Sequence, residues 1–265
     1  YIANNLVEEA PGSCFGIIYD NSPLIDNSQP LLRYENESNK PLHFSGFFSK
    51  PGNLKGRKRF IDKLSPLLNS LKEVEREMDQ LLLERNIPKG GDVVVMVVNA
   101  GEMDLFMNFA CSCRLHNISL NNVLVFAASS DIIPLIFSTG ALGYYHHDFA
   151  TASREHSIAY LDGIFVDMMW YKSFSVWLLL HLGRNVLFQD VDIIWLRDPF
   201  TYFHETIESI KLRSTSSSDP DQINLIPDAF LSDDGQRASP RFSPFYANSG
   251  FYYLLSNPKT IVLSW

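Results

Sequence analysis

Two aspartates at the end of an apolar stretch, Asp190 and Asp192, are the residues of this sequence whose types and spacing most clearly indicate chemistry. Side chains alternate between the two faces of an extended chain, so these two carboxylates project the same way. Val191 between them then points into apolar packing. Paired carboxylates offer the hard oxygen ligands that Mg²⁺ and Mn²⁺ prefer. The pair therefore predicts a divalent-metal site.

The position of the pair favours a phosphate ligand. Residues 186–189 have the composition of a buried strand in a parallel sheet, and such sheets bind ligands beyond the carboxyl ends of their strands. A divalent cation held there commonly binds substrate phosphates and neutralises the charge that develops on a diphosphate leaving group. An isolated Asp-x-Asp is also frequent by chance as a solvated turn, so the flanking sequence has to decide between the two interpretations.

The elements around the pair alternate between strand and helix after a break at Lys89-Gly90-Gly91, which predicts parallel βαβ units and an α/β fold. The predicted strands are residues 92–99, 123–127, 142–145, 186–189, 224–227 and 249–255. The predicted helices run from residue 101 to about His116, over residues 129–138 with a possible kink at Pro134, and from about Ser153 to Leu182. Residues 214–221 are predicted to be a loop.

The chain before this region divides into two further parts. Residues 1–60 are rich in Asn, Pro and Ser and predict an irregular, stem-like segment, in which the basic run at residues 55–59 is a solvated loop. Residues 61–88 predict an amphipathic helix that starts at Ser65-Pro66, with proline in its first turn. Its apolar stripe lasts under three heptads, so it is expected to pack on the domain of residues 89–265 and not to form a coiled coil.

Composition excludes several classes of protein. A chain of 265 residues with 46% hydrophobic residues can bury a sizeable core, and its net charge of −8 argues against a general nucleic-acid binder. Three cysteines, Cys14, Cys111 and Cys113, form neither a disulfide framework nor a zinc motif. Residues 164–182 are strongly apolar but are interrupted by Asp167 and Lys172, so they predict a buried helix and not a membrane span.

The sequence on either side of the aspartate pair resembles that of a known protein family. Residues 170–200 are similar to the nucleotide-diphospho-sugar transferases of glycosyltransferase family 77, in which an apolar strand and Asp-x-Asp precede a run written here I-W-L-R-D-P, residues 194–199. Two more blocks follow the family order, V-V-N-A-G-E-M-D-L-F-M-N-F-A-C-S at residues 97–112 and N-S-G-F-Y-Y-L at residues 248–254. The resemblance covers residues 92–265. It implies the GT-A fold, a Rossmann-like, mostly parallel sheet flanked by helices, here expected to be incomplete at its C-terminus.

The resemblance also implies which residues bind the sugar donor. Asn99, Ala100 and Gly101 would lie beside the base or ribose, because a small-residue turn after a strand lets a ligand approach the backbone closely. The same turn could simply begin a helix. Lys172 would reach the donor, or it could extend along its methylene groups to the surface. No glycine-rich phosphate loop occurs, so the metal would neutralise much of the diphosphate charge.

The resemblance implies that three further residues, Asn248, Ser249 and Gly250, lie near the donor sugar. They could equally form an ordinary turn before a strand. Trp195 is expected in the core, and Arg197 and Asp198 are expected to fix their loop by pairing. Other polar groups are expected to be solvated loops and not sites. One is Tyr145-His146-His147-Asp148, which could look like a metal cluster, but adjacent histidines on a strand point apart. The other is Asp233-Asp234-Gly235.

The activity implied is transfer from a UDP-sugar to a hydroxyl of a glycan or glycoprotein with retained configuration. Asp192 would ligate Mn²⁺ or Mg²⁺, and Asp190 would bind the metal, its waters or the ribose. Related enzymes often complete the metal site with a late histidine, but His204 is the one histidine after Asp192 and lies too close to it. Residence in the Golgi lumen as a type II membrane protein, through an anchor outside these residues, is implied by the resemblance alone.

Two other functions remain open at this point. In phosphatases of the haloacid-dehalogenase type an apolar strand also precedes Asp-x-Asp, with the first carboxylate as nucleophile and the second as acid and base. That motif usually opens its domain, whereas here an α/β pattern precedes it. A nucleotide- or glycan-binding module without catalysis is the second alternative.

Overall fold

Four apolar stretches of the sequence form the parallel part of a seven-stranded sheet in the computed structural model of this protein. The structure describes residues 15–17, 54–148, 150, 163–216, 226–234 and 247–264, with side chains from residue 65 onward except at 213–216. The strands are β1 (Phe15–Ile17), β2 (Asp92–Val98), β3 (Val123–Ala127), β4 (Leu142–Tyr144), β5 (Asn185–Gln189), β6 (Ala229–Asp233) and β7 (Ala247–Leu254). The helices are α1 (Leu54–Glu84), α2 (Met103–Leu115), α3 (Ile133–Ser138), α4 (Gly163–His181), α5 (Pro199–Ser216) and α6 (Pro258–Ser264).

The order of strands across the sheet is β1-β6-β7-β5-β2-β3-β4. Strands β5, β2, β3 and β4 are mutually parallel, whereas β7 runs antiparallel to both of its neighbours, β5 and β6. Strand β6 consequently points the same way as the parallel four, and only β7 and β1 among the described strands oppose them. This mostly parallel, Rossmann-like α/β sheet confirms the predicted fold class and is consistent with a GT-A-like fold.

Helices cover both faces of the sheet, as a parallel sheet requires. On one face Val94, Met96 and Val98 pack with Phe109 of α2 and Phe203 of α5 in a common core. On the other face α4 packs against β2 and β5, and the Tyr171 hydroxyl donates to the Ala127 carbonyl at 2.9 Å. None of the helices in the described ranges is long and apolar enough to cross a membrane. The prediction that residues 164–182 form a buried helix is thus confirmed over Gly163–His181.

Helix α1 begins earlier in the chain than the sequence predicts. Helix α1 begins at Leu54 and contains Pro66 in its interior, so Ser65-Pro66 is not its start and residues 55–59 are helical and not a loop. Its apolar stripe is buried at Val74, Met78 and Leu82, as predicted. Residues Asp20–Asn69 group as a separate unit, and Phe15–Ile17, expected to be irregular, pairs with β6 in the sheet. The rest of residues 1–60, with Cys14, lies outside the described residues.

Several other boundaries differ from the predictions. Of the strand expected at residues 224–227, residues 224 and 225 lie outside the described residues, and Ile226 and Pro227 are not in a strand. Pro227 has no backbone N–H to give to a sheet ladder, and the described strand begins at Ala229. Pro134 lies in the first turn of α3, where proline is tolerated, and produces no kink. Helices α5 and α6 were not predicted, and α5 extends into the expected loop at 214–216. The start of the long helix near Ser153 lies outside the described residues.

An ion pair with a buried arginine fixes the junction between α4 and β5. The Arg184 side chain is fully buried, and its guanidinium donates to the Asp79 carboxylate of α1 and, at 2.7 Å, to the Leu182 carbonyl. We expect Asp79→Ala to lower the free energy of unfolding by about 3 kcal/mol, because it leaves a buried cation without its counter-charge. Urea unfolding measures this change. Glu84→Ala, which removes an exposed carboxylate from the same helix, is the matched control, and equal stabilities of the two variants would contradict the expectation.

Candidate functional site

The aspartate pair lies in a turn at the carboxyl end of β5. Strand β5 ends at Gln189, and the Ile193 N–H donates to the Asp190 carbonyl at 3.3 Å, so the pair is not in extended chain as the sequence analysis assumed. Val191 is nonetheless buried in the core, as predicted, while Asp190 and Asp192 line one pocket. The turn achieves what strand alternation was expected to achieve, namely two carboxylates on one side of the chain.

Lys172 of α4 holds Asp190 in place. Its Nζ lies 3.0 Å from Asp190 Oδ1, and the lysine side chain is only 6% exposed whereas the aspartate is 44% exposed. The ammonium also lies 4.2 Å from the centroid of the Phe188 ring, a cation–π contact. The alternative that Lys172 extends to the surface is therefore wrong.

Burial and charge act in opposite directions on Lys172. Desolvation lowers the pKa of its ammonium, and the carboxylates of Asp190 and Asp192 partly counteract this by favouring the charged form. Removing either carboxylate would therefore lower the pKa of Lys172 further. The charge of the buried lysine therefore depends on the aspartate pair.

The Asn248-Ser249-Gly250 block lies beside the pair because β7 runs antiparallel to β5. The Gly250 carbonyl accepts the Asp190 N–H at 2.7 Å, and a Cβ added to Gly250 would lie 2.6 Å from Asp190 Oδ2. Asn248 Oδ1 accepts the Gly250 N–H at 2.6 Å, and its Nδ2 donates to Asp234 Oδ1 at 2.8 Å. Ser249 is exposed. Gly250 thus allows the close approach that fixes the orientation of the Asp190 carboxylate.

A pocket of about 250 Å³ opens in front of these residues. Lys172, Asp190 and Asp192 form its polar side. The remaining lining side chains are Val97, Glu102, Leu105, Phe165, Met168, Met169, Phe188 and Val191. Sequence reasoning missed Phe165, Met168 and Met169, although with Lys172 they fall at helical positions i, i+3, i+4 and i+7 and so share one face of α4.

The turn after β2 borders this pocket through its flanking residues. Asn99 is fully buried, and its side chain accepts the Glu102 N–H at 3.1 Å, which caps a short 3-10 helix at Ala100–Glu102. Gly101 is exposed and Ala100 is half-buried against the core. The turn therefore does begin a helix, and whether its residues also contact a donor stays a prediction.

The I-W-L-R-D-P run after the aspartate pair, residues 194–199, supports the framework of the site. Trp195 is in the core, as predicted. Its ring packs edge-on against that of Phe109, with ring centroids 5.2 Å apart, and its backbone carbonyl accepts the Ser112 hydroxyl at 2.8 Å. Asp198 Oδ1 accepts the Phe200 N–H at 2.9 Å and so fixes the loop by capping α5, while Arg197 is exposed.

His204 lies far from the aspartate pair. Its Nε2 is 2.7 Å from Asp92 Oδ2, at the amino end of β2 and thus at the opposite edge of the sheet from Asp190. Asp92 Oδ1 also accepts the Tyr253 hydroxyl at 2.6 Å. The prediction that His204 does not complete the metal site is consistent with this position.

The expectation that His146 and His147 point apart is wrong. Strand β4 ends at Tyr144, so the two histidines follow the strand, and their rings stack with centroids 4.7 Å apart. Ligand atoms of His146, His147 and Asp148 lie within 4.8 Å of one another. The second loop expected from the sequence contains Asp233 and Asp234. Asp233 is the last residue of β6, and Asp234 is exposed and accepts a hydrogen bond from Asn248.

The electrostatics of the pocket define what it can bind. Three carboxylates, those of Asp190, Asp192 and Glu102, face one ammonium, that of Lys172, so the lining is acidic overall. An anionic ligand such as a diphosphate would be repelled unless a cation came with it. Oxygen ligands on an exposed turn suit Mg²⁺ or Mn²⁺, which keep several waters and share their coordination with substrate phosphates. The donor set therefore fits a divalent metal bound together with a phosphorylated ligand.

Comparison with known proteins locates this site within a family. The model of the nucleotide-diphospho-sugar transferase family matches residues 118–264, more than half of the chain. The beta-arabinofuranosyltransferase RAY1 of Arabidopsis thaliana is 28% identical over 174 residues, which are 65% of this chain and 29% of that protein. An uncharacterized protein of the same plant is 30% identical over 99 residues, which are 37% of this chain and 23% of that protein. The chain thus spans less than a third of the length of these two relatives.

The matched region includes α4, the turn that carries the aspartate pair, and β7 with Gly250. It therefore contains Lys172, Asp190 and Asp192, whereas Glu102 precedes it. From the extent of this match and the position of those three side chains within it, the protein belongs to the nucleotide-diphospho-sugar transferase family.

Proposed function

We propose that this protein is a metal-dependent glycosyltransferase that moves a sugar from a UDP-sugar to a hydroxyl of a glycan or glycoprotein, with retention of configuration. The observation that carries the proposal is the acidic pocket of Asp190, Asp192 and Lys172 at the carboxyl ends of parallel strands, inside the region that the family model matches. The fold and the order of the sequence blocks further support membership of glycosyltransferase family 77 with a GT-A architecture.

Asp190 and Asp192 have different roles in this proposal. Asp192 is exposed at the pocket and ligates Mn²⁺ or Mg²⁺, while Asp190, held by Lys172 and by the Gly250 backbone, binds the metal, its waters or the ribose. The metal would supply Lewis-acid neutralisation of the departing diphosphate. Lys172 holds the Asp190 carboxylate in its orientation through the 3.0 Å contact with Oδ1. No nucleophile is assigned.

The apolar side of the pocket has the composition of a nucleoside site. Phe165, Met168 and Met169 of α4 offer a flat, polarizable surface to a base. The turn of Asn99, Ala100 and Gly101 lies at the same edge of the sheet, where backbone groups can approach the ribose. Asn248 and Ser249 precede Gly250 in β7, and we assign the donor sugar to their side of the pocket.

The biological setting follows the same proposal. Similarity to a plant arabinofuranosyltransferase supports a role in glycan synthesis in the secretory pathway. We place the enzyme in the Golgi lumen, held by a membrane anchor outside these residues.

Isothermal titration of UDP into the purified chain tests the proposal directly. With Mn²⁺ present we expect saturable binding of one UDP, and with EDTA we expect binding to weaken by at least about tenfold, because the pocket is acidic without the cation. Incubation with UDP-sugars then reports transfer or slow hydrolysis. A folded chain that binds no UDP with any divalent metal, but hydrolyses a phosphate monoester, would refute the proposal in favour of a phosphatase.

Gly250→Ala is expected to weaken manganese-dependent UDP binding by at least about tenfold while leaving the fold intact. The new methyl group would lie 2.6 Å from Asp190 Oδ2, so the carboxylate must turn away from its present position. Titration of UDP with Mn²⁺ measures the change, and thermal unfolding checks the fold. Ser249→Ala, at the exposed neighbouring position, is the control. If both variants bind as the parent does, the carboxylate orientation at Asp190 does not matter.

A further inference from the structure

We propose that His146, His147 and Asp148 form a second metal site, selective for a borderline transition-metal cation such as Zn²⁺. These residues follow β4, and their ligand atoms lie within 4.8 Å of one another. His147 Nε2 and Asp148 Oδ1 are 3.4 Å apart, which already matches the spacing of two ligands around a tetrahedral ion with bonds of about 2.0–2.2 Å.

The donor set distinguishes this site from the aspartate pair. Two imidazoles and one carboxylate suit Zn²⁺, Co²⁺ and related ions, whereas Mg²⁺ and Mn²⁺ favour the all-oxygen ligands of Asp190 and Asp192. Three protein ligands leave one position of a tetrahedral ion open. The side chain of His147 is 76% exposed, so water or a solute can reach that position.

Two contacts prepare the site. The Ser70 hydroxyl of α1 donates to Asp148 Oδ2, which leaves Oδ1 directed at His147. His146 is buried, and its carbonyl accepts the Ala150 N–H at 2.8 Å. Its Nδ1 accepts the Asp148 N–H at 3.3 Å, a long bond that a metal would replace at small cost. Partners of this kind orient metal ligands and raise affinity.

The position of the cluster in the sheet sets its distance from the aspartate pair. Strand β4 is parallel to β3, β2 and β5, so the cluster lies at the same edge of the sheet as Asp190, three strand spacings or about 14 Å away. One ion cannot serve both sites at that distance. A bound cation would tie the segment after β4 to α1 through Asp148 and Ser70, at the rim of the ligand-binding edge.

Zinc titration of the chain with Asp190→Asn, Asp192→Asn and Cys111→Ser tests this proposal without contribution from the donor site or the exposed thiol. We expect one equivalent of Zn²⁺ to bind even in excess Mg²⁺, and Co²⁺ to give visible absorption bands of a tetrahedral ion. In this background His147→Ala and Asp148→Asn should each lower zinc affinity about a hundredfold, and Ser70→Ala about tenfold. His116→Ala, at an exposed histidine outside the cluster, should change nothing.

Because His147 is exposed, its substitution is not expected to unfold the chain, and circular dichroism verifies this. Equal zinc affinity in the parent, His147→Ala and Asp148→Asn would overturn the proposal, and so would a folded parent that binds no zinc. Either outcome leaves the UDP-binding proposal intact, because that site is absent from the background used here.

Discussion

Replacing Asp192 with alanine is expected to abolish the manganese-dependent part of UDP binding and to lower sugar transfer by at least about a thousandfold. Loss of a single group that stabilises developing charge commonly costs a factor of 10² to 10³, and here the metal itself would be lost with it. Asp192 lies in an exposed position of the turn, so the free energy of unfolding should change by no more than about 0.5 kcal/mol.

Two measurements test this prediction. UDP is titrated in the presence of Mn²⁺ and again in the presence of EDTA, and initial rates of transfer are measured with a UDP-sugar. Asp104→Ala removes an exposed carboxylate from the first turn of α2, outside the pocket, and serves as the control for net charge. Asp192→Asn separates loss of charge from loss of volume. Wild-type manganese dependence in Asp192→Ala would remove Asp192 from the metal site and with it the proposed mechanism.

Lys172→Met is expected to weaken UDP binding by about a hundredfold while leaving the protein as stable as the parent or more stable. The desolvation of the ammonium opposes folding, and its removal leaves no buried charge behind because only the lysine of this pair is buried. Its partner Asp190 is 44% exposed and can be hydrated once it is unpaired. The functional loss arises because the Asp190 carboxylate is no longer held in position.

Asp190→Ala should have the opposite effect on stability. It leaves Lys172 buried without its closest counter-charge, so we expect the free energy of unfolding to fall by about 2–3 kcal/mol. Urea unfolding of both variants, together with separate titrations of Mn²⁺ and UDP, tests the pair. If Lys172→Met destabilised the chain as much as Asp190→Ala and bound UDP normally, the lysine would be a structural residue alone.

Much of the α/β framework could be predicted because its signals are local. Buried parallel strands such as β2 and β3 read as continuous apolar runs, and glycines at Gly90 and Gly91 mark the break before them. Helix α1 shows where such signals fail. Pro66 is a strong start signal, but a long helix can accept an interior proline, and the chain continues helical back to Leu54. The pairing of β1 with β6 depends on contacts across more than two hundred residues, which no local pattern encodes.

The residues of the candidate site can be identified without coordinates: two carboxylates after a buried strand, one lysine in an apolar helix, and a glycine in the block at residues 248–254. Their contact depends on the packing of α4, β5 and β7, which brings Lys172, Asp190 and Gly250 together. The tertiary structure also brings His146 and His147 together, because β4 ends before them and the chain turns. Residue type sets which ligands are available, but packing of distant elements sets the distances on which binding depends.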